Sequence, residues 1–144
     1  MNLNDDELRQ MLALMESYKN RAEALNRQVT VLRGTLDEVN MAHESITALM
    51  NAKDGDEIMI PIGASSFMNV KVTSNKNIIV GIGSGISVEK DPEDASKYME
   101  ANAAELREAL KKTVDALQEV QQALETVSQA VQTEYVNRQQ APTQ

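Results

Sequence analysis

The stretch that decides the fold is residues 56–90, DEIMIPIGASSFMNVKVTSNKNIIVGIGSGISVEK. It is rich in Ile, Val and Gly, and its short apolar segments are separated by turn residues, which predicts two β-hairpins. The four strands are expected near 58–62, 67–72, 77–82 and 86–90. Tight turns are expected at 63–66 and 83–85, with 74–76 joining the hairpins. Pro61 has no N–H, so its strand should lie at an edge or pair incompletely there.

The sequence on both sides of this stretch follows a heptad pattern, in which apolar residues are spaced alternately three and four apart. The pattern runs from Leu8 to Met50 before the hairpins and from Met99 to Val131 after them. Such spacing keeps one face of a helix against a partner helix. We therefore expect an α+β fold, in which two long helices form an antiparallel coiled-coil hairpin and the two β-hairpins are inserted at its hinge.

Residue types at the helix ends set the expected boundaries. Asn4 and Glu7 can form a capping box, Gly55 suits the end of the first helix, and Asp91 followed by Pro92 suits the start of the second. The expected segments are an N-terminal helix at 1–55, two hairpins at 56–90, a C-terminal helix at 91–137 and a disordered tail at 138–144. The two heptad seams match when Leu8 faces Glu134 and His43 faces Met99.

Composition excludes several classes of function. Among 144 residues, only 3% are aromatic and none is Cys, so a large aromatic core, disulfides and thiolate metal sites are excluded. The net charge is −8, with no basic stripe on either helix, which disfavours nucleic acid and membrane partners. The acidic N-terminus does not resemble a signal peptide, and no apolar run is long enough to span a membrane. A cytoplasmic protein is expected.

Two features that could suggest chemistry have simpler interpretations. His43 is the only histidine; it occupies a seam position, where a polar residue helps to fix helix register, and it has no Cys, Ser or Asp partners for a metal site or a triad. The glycines of 81–85 resemble a dinucleotide fingerprint, but Ile86 continues a strand where that motif requires a helix. We expect no enzyme activity, cofactor or metal.

The helix ends carry apolar residues that the seam does not need. Met11 to Met15 is an unbroken apolar run, of which only the first and last residues belong to the seam. Leu12 and Leu14 lie beside the seam, as do Tyr135 and Val136 at the facing end of the second helix. Exposed apolar patches mark binding surfaces more often than accidents, so these ends are expected to bind other proteins. Packing against a neighbouring subunit is the alternative.

With these features together, the chain resembles the alpha class of the prefoldin family, and most closely its archaeal form. The segments that carry the resemblance are IPIGASSF at 60–67 and IVGIGSGISVEKDPEDA at 79–95, placed between two long helices. Two hairpins indicate the alpha class, because beta-class subunits have one. The resemblance implies an ATP-independent chaperone of two alpha and four beta subunits. Its hairpins form a β-barrel hub, and its coiled-coil ends hold unfolded polypeptides before delivery to a group II chaperonin.

Pattern and resemblance together assign residues to two roles. Client binding is assigned to Leu3, Leu8, Met11, Leu12, Leu14, Met15, Val131, Tyr135 and Val136. Oligomerisation through open strand edges is assigned to Ile58, Ile60, Ile62, Phe67, Val70, Ile79, Val80, Ile82, Ile86 and Val88. The expected partners are prefoldin beta-type subunits, unfolded client proteins and a group II chaperonin. The alternative is a structural coiled-coil scaffold or a filament-forming relative of prefoldin.

Overall fold

The computed structural model describes residues 3–141, which contain two helices and four strands. Their bounds are Asp5–Asn51 (α1), Glu57–Gly63 (β1), Ser66–Lys71 (β2), Ile78–Gly83 (β3), Ile86–Lys90 (β4) and Pro92–Gln140 (α2). The order and type of the elements confirm the predicted α+β class. The chain divides into two compact units: a terminal unit, up to Leu32 and from Ala109 onward, and a central unit from Arg33 to Glu108.

In the terminal unit, the first residues of the chain lie against the last turns of α2, so the helices there are antiparallel. Arg138 Nη1 donates a hydrogen bond to Asp5 Oδ1 at 2.7 Å, and the Leu3 N–H donates to Glu134 Oε2 at 3.2 Å. These contacts agree with the predicted register, in which Leu8 faces Glu134. The buried apolar residues of this unit are Leu8, Val29, Val120 and Val131.

In the central unit, the second hairpin packs on both helices. Val80 of β3 is 2% exposed and lies in a cluster with Ile46 of α1 and Ala95 of α2. Ile78, Tyr98 and Met99 pack around this cluster. His43 Nε2 lies 3.1 Å from Glu100 Oε1, one residue from the seam partner that the heptads predict. Burial of these apolar side chains fixes the hairpin against the helices.

The heptad positions behave as the sequence predicts, with one exception. From Leu8 to Ile46 and from Met99 to Val131, every seam residue is buried or half-buried. Met50, the last position of the α1 pattern, is exposed. It lies one residue before the end of α1, where the chain leaves the helix.

The predicted caps are present at both helix starts. Glu7 N–H donates to Asn4 Oδ1 at 2.8 Å, and Asn4 N–H donates to Glu7 Oε2 at 2.9 Å, which is the reciprocal capping box. Asp91 Oδ1 accepts from the Asp94 N–H at 2.8 Å. Each cap satisfies backbone donors that the first helical turn cannot pair.

Both predicted C-terminal boundaries differ from the structure by a few residues. The helix predicted to reach residue 55 ends at Asn51, because residues 53–56 form a turn in which Lys53 N–H bonds to Asp56 Oδ2 at 2.8 Å. The predicted tail begins too early, because α2 continues to Gln140 and Arg138 is held by ion pairs. The end of that tail, 142–144, lies outside the described residues.

The two hairpins have the same construction. β1 pairs with β2 and β3 with β4, both antiparallel, and each register slips at a glycine, between Pro61 and Gly63 and between Gly81 and Gly83. Gly63 and Gly83 have φ of 102° and 108°, which favours glycine. Pro61 itself stays in register opposite Phe67, and β1 is an edge strand of a two-stranded sheet, which is the first of the two arrangements predicted for it.

Gly34 offers a direct test of helix propensity. It lies in α1, and no atom from outside the nearby helix backbone lies within 4 Å of the position that an added methyl group would take. Gly34→Ala is therefore expected to raise the free energy of unfolding by about 0.5–1 kcal/mol. Urea unfolding followed by circular dichroism measures the change. Gly83→Ala is the matched control and is expected to lower the free energy of unfolding, because a φ of 108° is strained for any residue with a side chain. Equal effects of the two substitutions would contradict this account.

Candidate functional site

The terminal helix ends, residues 3–15 and 131–141, form the first candidate surface. Three of its apolar side chains are well exposed: Leu14 at 42%, Tyr135 at 47% and Val136 at 44%. They are off-seam residues, as the heptad pattern predicts. The half-buried members of the predicted client-binding set are Leu3, Met11, Leu12 and Met15. The helix ends therefore carry exposed and half-buried apolar side chains on both sides of the seam, and we call this set of side chains the patch.

Two residues of that predicted set are not available at this surface. Leu8 and Val131 are buried in the seam. A heptad position that faces the partner helix loses its contact with solvent, so in the observed structure these side chains stabilise the helix pair. Fewer residues of the predicted client-binding set are therefore exposed than the sequence alone indicates.

A polar network, which we call the terminal clamp, joins the same helix ends. It consists of Leu3, Asp5, Glu134 and Arg138. Glu134 is a buried seam residue at 3% exposure, and its Oε1 accepts from Arg138 Nε at 2.8 Å. Arg138 Nη2 donates to the Leu3 carbonyl at 3.0 Å, in addition to the Asp5 and Leu3 contacts described above. Sequence reasoning missed this network, although an acidic residue at a seam position was its signal.

Hydrogen bonding shifts both charged groups of the clamp toward their ionised forms. The Arg138 guanidinium, and after it the Leu3 N–H, hold the pKa of Glu134 below its ordinary value, and these effects outweigh the opposing effect of burial. The pKa of Arg138 is raised by its hydrogen bonds to Glu134 and then to Asp5. Glu134 is therefore a carboxylate at neutral pH.

The clamp predicts a pH-dependent difference between the protein and its Glu134→Gln variant. Because the native pKa of Glu134 is lowered, its stabilising contribution is complete above the ordinary value of 4.5 and is lost as pH falls through the native value. We expect the variant to melt at a lower temperature at pH 7 and the two melting temperatures to converge in acid. Thermal unfolding across pH measures this. A difference that grows on acidification would contradict the assignment.

The hairpins form the second candidate surface. Five residues of the predicted oligomerisation set are exposed, and Ile79 is the most exposed of them at 76%; the others are Ile62, Phe67, Ile82 and Ile86. Ile58, Ile60, Val70 and Val88 are half-buried. Two exposed methionines of the first hairpin, Met59 and Met68, were missed, although they lie in the predicted strands. Free β-edges with this much exposed apolar surface favour pairing with other chains.

Val80 does not belong to this surface. The sequence assigns it to oligomerisation, but in the structure it packs against Ile46 and Ala95 inside the central unit. Successive strand residues point to opposite faces, so Ile79 is exposed where Val80 is buried. An apolar cleft of about 390 Å³ lies nearby, lined by residues of α1 and both hairpins, including Leu49, Ile60 and Val70.

The side chains around His43 do not form a catalytic relay. The expectation that His43 has no Ser partner is wrong, because Ser96 Oγ lies 3.2 Å from its Nε2. Glu100 Oε1 lies 3.1 Å from the same ring nitrogen. A triad needs its acid and its nucleophile on opposite nitrogens of the ring. The glycines of 81–85 lead into strand β4, as predicted, and not into a helix that could receive a phosphate.

Within residues 3–141, no three His, Asp or Glu side chains gather as metal ligands would. In the same range, neither helix contains a segment apolar enough for a membrane span.

Comparisons with known proteins agree with these features. The family model for prefoldin subunits matches residues 18–137. Prefoldin subunit alpha of Methanothrix thermoacetophila is 32% identical over 75% of this chain and 71% of its own length. The same subunit of Pyrococcus horikoshii is 31% identical over 81% and 80%. A filamentous PFD from Methanocaldococcus jannaschii, solved by cryo-electron microscopy, has a TM-score of 0.61 over 82% of this chain and 98% of its own, at 21% identity.

Proposed function

This chain belongs to the prefoldin family, and from that premise we propose that it captures non-native polypeptides at its terminal helix ends without ATP and passes them to a group II chaperonin. It does so in the cytoplasm, as an alpha-type subunit in a complex of two alpha and four beta subunits. The observation that carries the proposal is the exposure of Leu14, Tyr135 and Val136 at helix ends whose heptad seam does not need them.

The chemistry of these ends suits clients without a fixed shape. Apolar contact is non-directional, so it can hold many unfolded segments, and flexible Met side chains such as Met11 and Met15 adapt to them. A few exposed apolar side chains on one subunit bind an unfolded polypeptide only weakly. Several ends acting together in one complex raise the overall affinity without any new kind of contact.

Independence from ATP is supported by the geometry of the only glycine-rich segment in the described residues. A nucleotide site of the dinucleotide-binding type requires a helix that begins at the last glycine, so that its N-terminus receives the phosphates. In this protein Gly85 precedes strand β4. We accordingly propose that client binding depends on apolar contacts and that release depends on transfer to the next chaperone.

Assembly through the hairpins follows from the energetics of small sheets. Each hairpin is a two-stranded sheet, and an isolated two-stranded sheet is only marginally stable in water. Pairing of the open edges with beta-type subunits would complete a β-barrel hub and cover the exposed residues Ile62, Phe67 and Ile79. The hub then positions the helices of all six subunits.

Mixing this chain with a prefoldin beta-type subunit tests the proposal. Native mass spectrometry is expected to give a closed complex of two alpha and four beta subunits. That complex is expected to suppress aggregation of an unfolded test protein without ATP. Open-ended polymers that leave aggregation unchanged would instead support the structural scaffold alternative. Each chain alone, at the same total concentration, is the control.

A further inference from the structure

Glu134 is a buried charge at the terminal helix ends, next to the buried apolar seam residue Val131. Burying a lone carboxylate is costly, and such groups persist only when hydrogen bonds and opposite charge compensate them. Glu134 is 3% exposed, so its two oxygens depend on partners within the protein. An apolar side chain of similar volume would suit a purely structural seam position at least as well.

The partners of Glu134 connect the two helix ends to each other. The Leu3 N–H binds one oxygen and Arg138 Nε binds the other. Arg138 then extends to Asp5 and to the Leu3 carbonyl. Three of these four hydrogen bonds join the first residues of the chain to the last turns of α2, so the clamp resists separation of the ends.

The clamp closes over apolar residues that would suit a client. Leu8 and Val131 are buried near it, and Leu3, Met11 and Ala130 line a cleft of about 310 Å³ together with Glu134. If the ends separate, the seam residues face solvent. More apolar surface then becomes available beside the patch that is exposed in the closed state.

We propose that the terminal clamp limits client binding: closed, it keeps Leu8, Met11 and Val131 in the seam, and opened by an incoming polypeptide, it exposes them. This inference rests on the proposed function, because it describes the regulation of the same surface. The clamp can open because Arg138 is partly exposed and Asp5 largely exposed, and ion pairs in contact with water contribute little. Terminal turns also open at low free energy.

A client shifts such an equilibrium by its differential affinity for the open state. At neutral pH Glu134 is ionised, and in the open state its carboxylate reaches water. Without a client, the closed state keeps the apolar seam covered, which limits association between complexes. Exposure of Leu8, Met11 and Val131 thus depends on the presence of a polypeptide that can cover them.

The first test fixes the clamp covalently in the closed state. The chain contains no Cys, so Asp5→Cys with Arg138→Cys introduces one reactive pair, assembled with a cysteine-free beta-type subunit. A short bifunctional thiol reagent joins the ends, and a monofunctional reagent modifies the same sites without joining them. Binding of a fluorescent, reduced and carboxymethylated α-lactalbumin is expected to be about fivefold weaker in the joined form, the low end of typical coupling.

The second test opens the clamp without cysteines. Arg138→Gln removes the cation that compensates Glu134. It is expected to speed amide hydrogen exchange in residues 3–15 and to tighten client binding by about fivefold. If the double-cysteine chain does not assemble, the Arg138→Gln variant by itself tests whether the clamp limits client binding.

The outcomes separate this inference from the proposed function. Equal client binding by the joined and unjoined forms, or by Arg138→Gln and the natural protein, would overturn the clamp. Serine substitution of the exposed patch tests the proposed function independently, since it leaves the clamp residues unchanged. If that variant binds clients normally, the proposed function fails, whatever the clamp does.

Discussion

Serine at the four off-seam apolar positions of the terminal helix ends is expected to weaken client protection roughly tenfold while leaving assembly intact. The substitutions are Leu12→Ser, Leu14→Ser, Tyr135→Ser and Val136→Ser. Three of these side chains are well exposed and Leu12 is half-buried, so the change removes apolar contact area without disturbing the buried seam. Protection remains partial because the beta subunits contribute ends of their own. Suppression of citrate synthase aggregation, titrated with intact complexes, measures the loss.

The matched control removes exposed apolar side chains from elsewhere on α1. Val31 and Met41 are both exposed and lie outside the terminal helix ends. Val31→Ser with Met41→Ser should leave protection unchanged if the position of the patch matters. Circular dichroism checks that both variants remain helical, because serine forms helices less readily than leucine. If the natural protein and the variant with four serine substitutions suppress aggregation equally well, a structural role for this subunit is favoured.

Threonine at three exposed positions of the second hairpin is expected to abolish assembly. The substitutions are Ile79→Thr, Ile82→Thr and Ile86→Thr, all at exposed isoleucines. Threonine preserves the preference for strands but loses most of the apolar area. An isoleucine buried at an interface contributes about 1.5–3 kcal/mol, so three losses should weaken association by roughly a thousandfold or more. Analytical ultracentrifugation with the beta-type subunit is expected to show unassembled chains.

Substitutions at polar positions of the same strands provide the control. Ser87→Thr and Glu89→Gln change β4 without removing apolar surface, and they should leave the complex intact. Val80 is kept unchanged in both variants because it belongs to the core cluster, and its loss would unfold the hairpin as well as weaken assembly. An intact complex formed by the threonine variant would contradict the assembly role of this surface.

Much of the fold could be predicted because it depends on local patterns. The heptads predict both helices and their register, and the capping box at Asn4 and Glu7 predicts where α1 begins. Glycines in turn positions and alternating apolar residues predict the hairpins, since glycine readily adopts the positive φ found at Gly63 and Gly83. The predicted helix boundaries differ from the observed ones at the C-terminal ends of the helices, Asn51 and Gln140, because the last turn of a helix depends on nearby side chains.

The candidate site could be predicted only in outline. Excess apolar residues at the helix ends and in the strands are visible in the sequence, and the structure leaves Leu14, Tyr135 and Ile79 exposed, as the sequence predicts. The same reasoning included Leu8, Val131 and Val80, which are buried. Apolar character marks a residue as suited to burial, but it does not distinguish burial within the chain from burial against another protein.

The sequence by itself determined the element types and the helix starts, because periodicity, turn residues and caps act over a few neighbouring residues, and its resemblance at 60–67 and 79–95 indicated the family. Only the tertiary structure decided which strand face meets the helices and which charges meet across the helix ends. Alternation defines two faces of β3, but the choice between Ile79 and Val80 depends on where Ile46 and Ala95 lie. The bond between Leu3 and Glu134 joins residues 131 positions apart, so no local pattern encodes it.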